Sequence, residues 1–174
     1  MAKGSRIDGI LIGVVILGLV AFSWLVADTI RERVVEAGDK APNFSITSDS
    51  GRTFTRSDFG GKLLVLNFWA TWCPPCVEEL PSLNEFQRML ADKGVVVLGV
   101  SVDTNLQAYQ NFLRRTKVEF QTARDPEATI SARYGTFKYP ETYLINRDGK
   151  VVQKIVGPRD WTSPDMLDSL KPLL

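Results

Sequence analysis

The only two cysteines of the 174-residue chain, Cys73 and Cys76, stand three residues apart in the run WATWCPPCVEELP, residues 69–81. Sulfur at that spacing admits three chemistries: a structural bridge, half of a metal site, or a dithiol that cycles between reduced and oxidised states. A bridge that closes so short a loop restricts the unfolded chain far less than a long-range one. A closed structural zinc site takes four cysteine or histidine ligands, and this chain, with two cysteines and no histidine, cannot complete one alone. The cycling dithiol fits the surroundings best. A run of branched and aromatic residues, Leu63 to Trp69, precedes the pair and a helical pattern follows it. The pair therefore falls at a strand-to-helix junction, where the first helical amides have no backbone partner and favour a thiolate. Cys73, just ahead of the helix, is the expected attacking sulfur, and Cys76, one turn in, is the expected resolving one.

Composition narrows the rest. Without histidine the chain has no serine–histidine or cysteine–histidine catalysis and no imidazole metal ligand. Twenty-one lysines and arginines against twenty aspartates and glutamates leave no electrostatic footprint for a phosphate backbone, so nucleic acid is not an expected partner. No glycine-rich nucleotide motif is present.

The elements that must position the dithiol can be read outward from it. Leu63–Trp69 lacks strict alternation, as expected of a central strand buried on both faces. Val77, Leu80, Leu83, Phe86 and Leu90 recur at helical spacing, which predicts a helix from Pro75 to about Asp92 that exits at Gly94. Val95 to Val102 reads as a second buried strand. A second helix is expected over Asn105 to Arg115, burying Leu106, Tyr109, Phe112 and Leu113. This βαβα order argues an α/β sheet. A hairpin around Ser48–Gly51 precedes it, and a VEFQT strand, residues 118–122, follows. Asp125-Pro126 is read as the cap and first residue of a helix closed by Gly135. Asn146-Arg147-Asp148-Gly149 marks an antiparallel hairpin, and Ser163-Pro164 starts a last helix that runs to about Leu170.

At the other end, residues 9–27 form an unbroken uncharged run, preceded by Lys3, Arg6 and Asp8. About 17–25 apolar residues span a bilayer as one helix. The small residues near Ala21 and Ser23 suggest a cleavage site, yet the apolar run continues past them, so an uncleaved signal anchor is expected. The implied organisation is a short cytoplasmic terminus over 1–8, the anchor over 9–27, a solvated helical linker over 28–40, and one domain over 41–174. Lys3 and Arg6 on one side face Arg31, Arg33 and Lys40 on the other, so positive charge alone does not decide the orientation. A short basic head with almost everything else downstream is the pattern of an ordinary signal anchor, which is expected to leave the domain outside the cytoplasm, where disulfides persist.

From Pro42 to the C-terminus, FWATWCPPC followed by EELP, and later YPETYLINRDGKV, resemble the membrane-anchored, thioredoxin-like proteins of the TlpA/ResA group. The resemblance implies a thioredoxin fold, a central mixed sheet flanked by helices, with an N-terminal hairpin and a central helix-strand insertion. It implies a dithiol at the start of the first main helix, a kinking proline (Pro81), and a cis-proline (Pro140) whose backbone, with that of Tyr139, pairs with an extended substrate peptide. It also places a glutamate, Glu79, near the dithiol. If that side chain is buried, a raised pKa lets it exchange protons with Cys76. Trp72, beside Cys73 on the turn, is the expected substrate contact, and Trp69 the expected core residue.

The activity implied is reduction of disulfides in exported proteins, with apocytochrome c during cytochrome c maturation as one destination. No cofactor is expected beyond the redox-active Cys73–Cys76 pair, so electrons must come from a membrane donor of the thiol-disulfide type. Pro74-Pro75 departs from the usual intervening pairs and removes two N–H groups that could stabilise a thiolate, which leaves the reduction potential open. Two rival readings are a peroxidase and a thiolate copper chaperone. The first expects threonine three residues before the reactive cysteine, where this chain has Ala70. The second usually has a helping histidine.

Overall fold

The computed structural model describes residues 4–30 and 34–174. The chain divides into two units, residues 1–33 and 34–174. In the first, α1 covers Gly4–Ile30. Its stretch Gly9–Val26 is long and apolar enough to cross a membrane, and its large apolar side chains from Ile10 to Val26 are exposed rather than packed against protein.

The second unit carries a two-stranded hairpin, β1 (Ser45–Thr47) with β2 (Thr53–Thr55), and a five-stranded sheet. The sheet is built from β3 (Leu63–Trp69), β4 (Val95–Ser101), β5 (Gln121–Arg124), β6 (Glu141–Asn146) and β7 (Val151–Val156), in the order β5-β4-β3-β6-β7. β3 is central, parallel to β4 and antiparallel to β6, and every one of its residues is buried. The strand period of two divides it between two cores. Leu63, Val65 and Trp69 join the cluster packed against α2 (Pro74–Leu90), α3 (Leu106–Thr116) and α5 (Pro164–Leu170). Leu64, Leu66 and Phe68 join the cluster containing Phe54 of the hairpin and Ile130 of α4 (Thr129–Arg133). This is the expected thioredoxin-like mixed sheet with helices on its faces.

Several local expectations need correction. Asp125-Pro126 does not begin α4. Asp125 and Ala128 close a turn in which Ala128 takes φ 52° and serves as the N-cap, and Asp125 instead accepts from the Thr129 and Ile130 amides with its side chain. The strand expected at 118–122 starts at Gln121, because Asn84 of α2 binds the Lys117 carbonyl and the Glu119 amide and holds that segment off the sheet. Leu106 is exposed, and Tyr109 is the buried residue of α3.

The helical linker expected over 28–40 passes through residues 31–33, outside the described residues, as does Lys3. Residues 34–40 are not helical. Val35 is buried in the second cluster, the Val35 amide donates to the Tyr134 carbonyl, and Gly38 and Asp39 exchange backbone hydrogen bonds with Val151. A branched apolar residue in this stretch finds a core to enter, which a charge-based reading of the linker does not anticipate.

Candidate active site

β3 ends at Trp69 and the chain turns at once, with the Cys73 amide donating to the Ala70 carbonyl (3.2 Å). Cys73 is the N-cap of α2, with extended backbone (φ −100°, ψ 101°), and its Sγ accepts from the Cys76 amide at 3.3 Å. Pro74 and Pro75 fill the next positions, where a missing N–H leaves no helical bond broken and the fixed φ suits a helix start. The two sulfurs are joined as a disulfide. Cys73 retains 6% exposure and Cys76 none, so the first sulfur is the accessible one.

Across from it, β6 is preceded by Tyr139 and Pro140, joined by a cis peptide bond. The Tyr139 carbonyl oxygen lies 3.5 Å from Cys73 Sγ. Trp72 is 64% exposed and stands edge-on to the Tyr139 ring, with centroids 6.3 Å apart, whereas Trp69 is wholly buried. The Tyr139 carbonyl thus faces the sulfur at the turn, and the Trp72 and Tyr139 rings meet beside that turn.

Glu79 lies one turn beyond Cys76 and is 3% exposed. Its Oε1 accepts from Asn67 Nδ2 (2.9 Å), and its Oε2 accepts from the Arg159 amide (3.2 Å) and Trp161 Nε1 (3.3 Å). Burial pushes its pKa above the ordinary 4.5, and the three donors pull the other way without cancelling that effect. A groove of about 480 Å³ lined by Glu78, Glu79, Ser82, Pro158 and Arg159 lies beside this residue.

Sequence reasoning missed Asn67, Trp161 and Asp103. Asn67 shares the parity of Val65 and Trp69, so it faces α2, and its register partner on β6 is Thr142, whose Oγ1 also accepts from Nδ2 (2.9 Å). An asparagine inside the run LLVLNFW was the available signal, since a buried strand tolerates a polar side chain only with partners. Trp161 and Arg159 reach Glu79 from about eighty residues away, and nothing local announces that. Among the described residues there is no group of three or more cysteine, aspartate or glutamate side chains arranged to hold a metal.

A dithiol at the head of the first main helix of a thioredoxin-like sheet, with a proline-led strand facing it, is the arrangement of a thiol-disulfide oxidoreductase. Residues 37–154 match the AhpC/TSA family, and the chain belongs to that family, among its thioredoxin-like thiol-disulfide oxidoreductases. It is 35% identical over 157 residues to the thiol-disulfide oxidoreductase ResA of Bacillus thuringiensis subsp. konkukian, covering 90% of this chain and 91% of that protein. The ResA of Bacillus subtilis is 35% identical over 127 residues, covering 73% and 70% of the two chains. Among solved structures, a Chlorobium tepidum protein assigned as the thiol:disulfide interchange protein DsbE superposes with a TM-score of 0.69 at 33% identity, over 81% of this chain and 96% of that one.

Proposed function

We propose that this oxidoreductase is an anchored, extracytoplasmic reductant of disulfides in exported proteins. The Cys73 thiolate attacks one sulfur of a client disulfide, forming a mixed disulfide and releasing the client's other sulfur as a thiolate that takes up a proton. Cys76 then loses its proton to Glu79 and attacks Cys73 Sγ. The client leaves with two thiols, and the Cys73–Cys76 disulfide remains. Two electrons from a membrane dithiol donor restore the pair. Trp72 and the Tyr139–Pro140 backbone hold the client, and the groove beside Glu79 lets the proton leave to solvent. Apocytochrome c, with its paired cysteines, is the client class in view.

The observation that carries this reading is the asymmetry of the pair: Cys73 at the helix cap, reachable and facing Tyr139, and Cys76 closed off above a buried carboxylate. The test uses the reduced full chain in detergent with a disulfide-bonded apocytochrome c. Turnover by the native chain, none by Cys73→Ser, and a stable mixed disulfide with Cys76→Ser is the expected pattern. A couple at about −270 mV, thioredoxin's range, fits a reductant, and one at about −120 mV, DsbA's range, would overturn the direction. Labelling of the reduced thiols in intact cells by a membrane-impermeant maleimide tests the side of the membrane.

A further inference from the structure

β3 and β4 run parallel with Trp69 and Ser101 as register partners, so the loops leaving their C-terminal ends emerge side by side. Two residues beyond each partner stand Thr71 and Asp103, and there they meet. Asp103 is 3% exposed. Its Oδ2 accepts from the Thr71 amide (2.8 Å) and from Ser101 Oγ (2.6 Å), and its Oδ1 accepts from Thr71 Oγ1 (2.6 Å). The Asp103 amide donates to Ser101 Oγ at 3.0 Å, which orients the hydroxyl toward the carboxylate. Every donor to the carboxylate is neutral. Half-buried Arg124 donates to the Asp103 and Thr104 carbonyls rather than to the side chain.

Thr71 is inside the turn that carries the reactive sulfur, closed by the bond from the Cys73 amide to the Ala70 carbonyl. Its amide and hydroxyl both bind one buried carboxylate, which ties that turn to the loop leaving β4. The same carboxylate places negative charge against Thr71, two residues before Cys73, which opposes a thiolate at the end of the turn. The helix start does little to offset it. Pro74 and Pro75 have no N–H, and the Cys76 amide alone points at the sulfur. Other charged groups around the turn are buried Glu79 and exposed Glu78 on α2, exposed Arg114 and Arg115 on α3, and exposed Lys138 beside Tyr139; the exposed groups are screened by solvent.

We propose that Asp103 is a positioning residue that fixes the Ala70–Cys73 turn through Thr71, and that its charge holds the Cys73–Cys76 couple toward the reducing end. This rests on the reading of Cys73 as the attacking sulfur. The effect on the couple follows from the reduced state: whatever destabilises the thiolate destabilises the reduced form and makes the pair a stronger reductant.

The experiment compares the full chain in detergent with Asp103→Asn, Asp103→Ala and Thr71→Val. Three quantities are read: the redox equilibrium against glutathione, the pH midpoint of Cys73 alkylation, and the rate of exchange with a small aromatic disulfide. Removing the charge in either Asp103 variant shifts the equilibrium about tenfold toward the dithiol, about 30 mV for a two-electron couple. It also moves the alkylation midpoint to lower pH. Asp103→Ala and Thr71→Val lose exchange rate through a loosened turn, Thr71→Val leaves the equilibrium near its native value, and Asp103→Asn, which still offers Thr71 an acceptor, recovers most of the rate lost in Asp103→Ala. An equilibrium and midpoint unchanged in Asp103→Asn overturn the charge role, and native-rate exchange by Thr71→Val overturns the positioning role. If Asp103→Ala does not fold, those two variants decide. A native chain that exchanges with glutathione yet reduces no protein disulfide refutes the proposed function and leaves this inference standing.

Discussion

Replacing Asn67 by leucine keeps the branched side-chain shape and removes the amide that binds Glu79. Leucine is the larger residue, so any overpacking adds a pH-independent cost to the polar one, and the pH dependence isolates the polar contact. Asn67 Nδ2 donates to a carboxylate and to Thr142, while Asn67 Oδ1 is buried with no partner. The lost bond to the carboxylate costs about 2 kcal/mol and the neutral one about 1, and removal of the orphaned oxygen returns about 1, for a net loss of about 2 kcal/mol at pH 8. The loss depends on pH in a defined direction. Burial raises the folded pKa of Glu79 above 4.5, so folding favours its protonated form, and the native chain gains stability from this group as pH falls through the folded value toward 4.5. The leucine variant lacks the donor that most strongly opposes that rise, so its folded value lies higher still and it gains more on acidification. The deficit is therefore full above both folded values and shrinks to about 1 kcal/mol or less by pH 4, where only neutral hydrogen bonds are at stake. Urea unfolding of the oxidised full chain in detergent micelles at pH 4, 6 and 8, followed by tryptophan fluorescence, reads the deficit directly. A deficit flat across that range, or one that widens on acidification, would show that Asn67 does not support the charge of Glu79.

Two further substitutions probe the sheet. Lys154→Met leaves the buried Glu141 carboxylate without the ammonium 3.1 Å away, and thermal unfolding should show a loss of about 3 kcal/mol that 0.5 M salt does not erase. Gly99→Ala would set a Cβ 2.8 Å from Phe120 Cε2 and 3.0 Å from Trp69 Nε1, so an overpacking cost of about 1–3 kcal/mol is expected in the same measurement, and a neutral result would mean that this side of β4 has room to relax.

The elements nearest the cysteines were the most legible. A seven-residue run that is large and apolar apart from Asn67, a helical stripe and a closing glycine each carry a local period or a backbone requirement, and β3, α2 and Gly94 (φ 85°) fall where those signals place them. Legibility failed where a distant side chain decides local geometry. Asn84 displaces the start of β5, and the turn ending at Ala128 uses Asp125 one turn earlier than a capping pattern suggests. Within the site, the burial of Glu79 was conditional in the sequence. Its donors come from β3 and from the loop before α5, and only the sheet order brings these together over one carboxylate. Asp103 was invisible for a similar reason: its bond to Thr71 follows from the parallel register of two strands, not from any spacing along the chain.

The side-chain amide of Asn67 grips the dithiol helix through Glu79 with one hydrogen and the strand that follows Pro140 through Thr142 with the other. The jaw that bears the sulfurs and the jaw that faces them are thereby riveted at their common root. Any widening between the two has to break one of these hydrogen bonds first, so under the proposed function the accommodation a client needs comes from its own backbone.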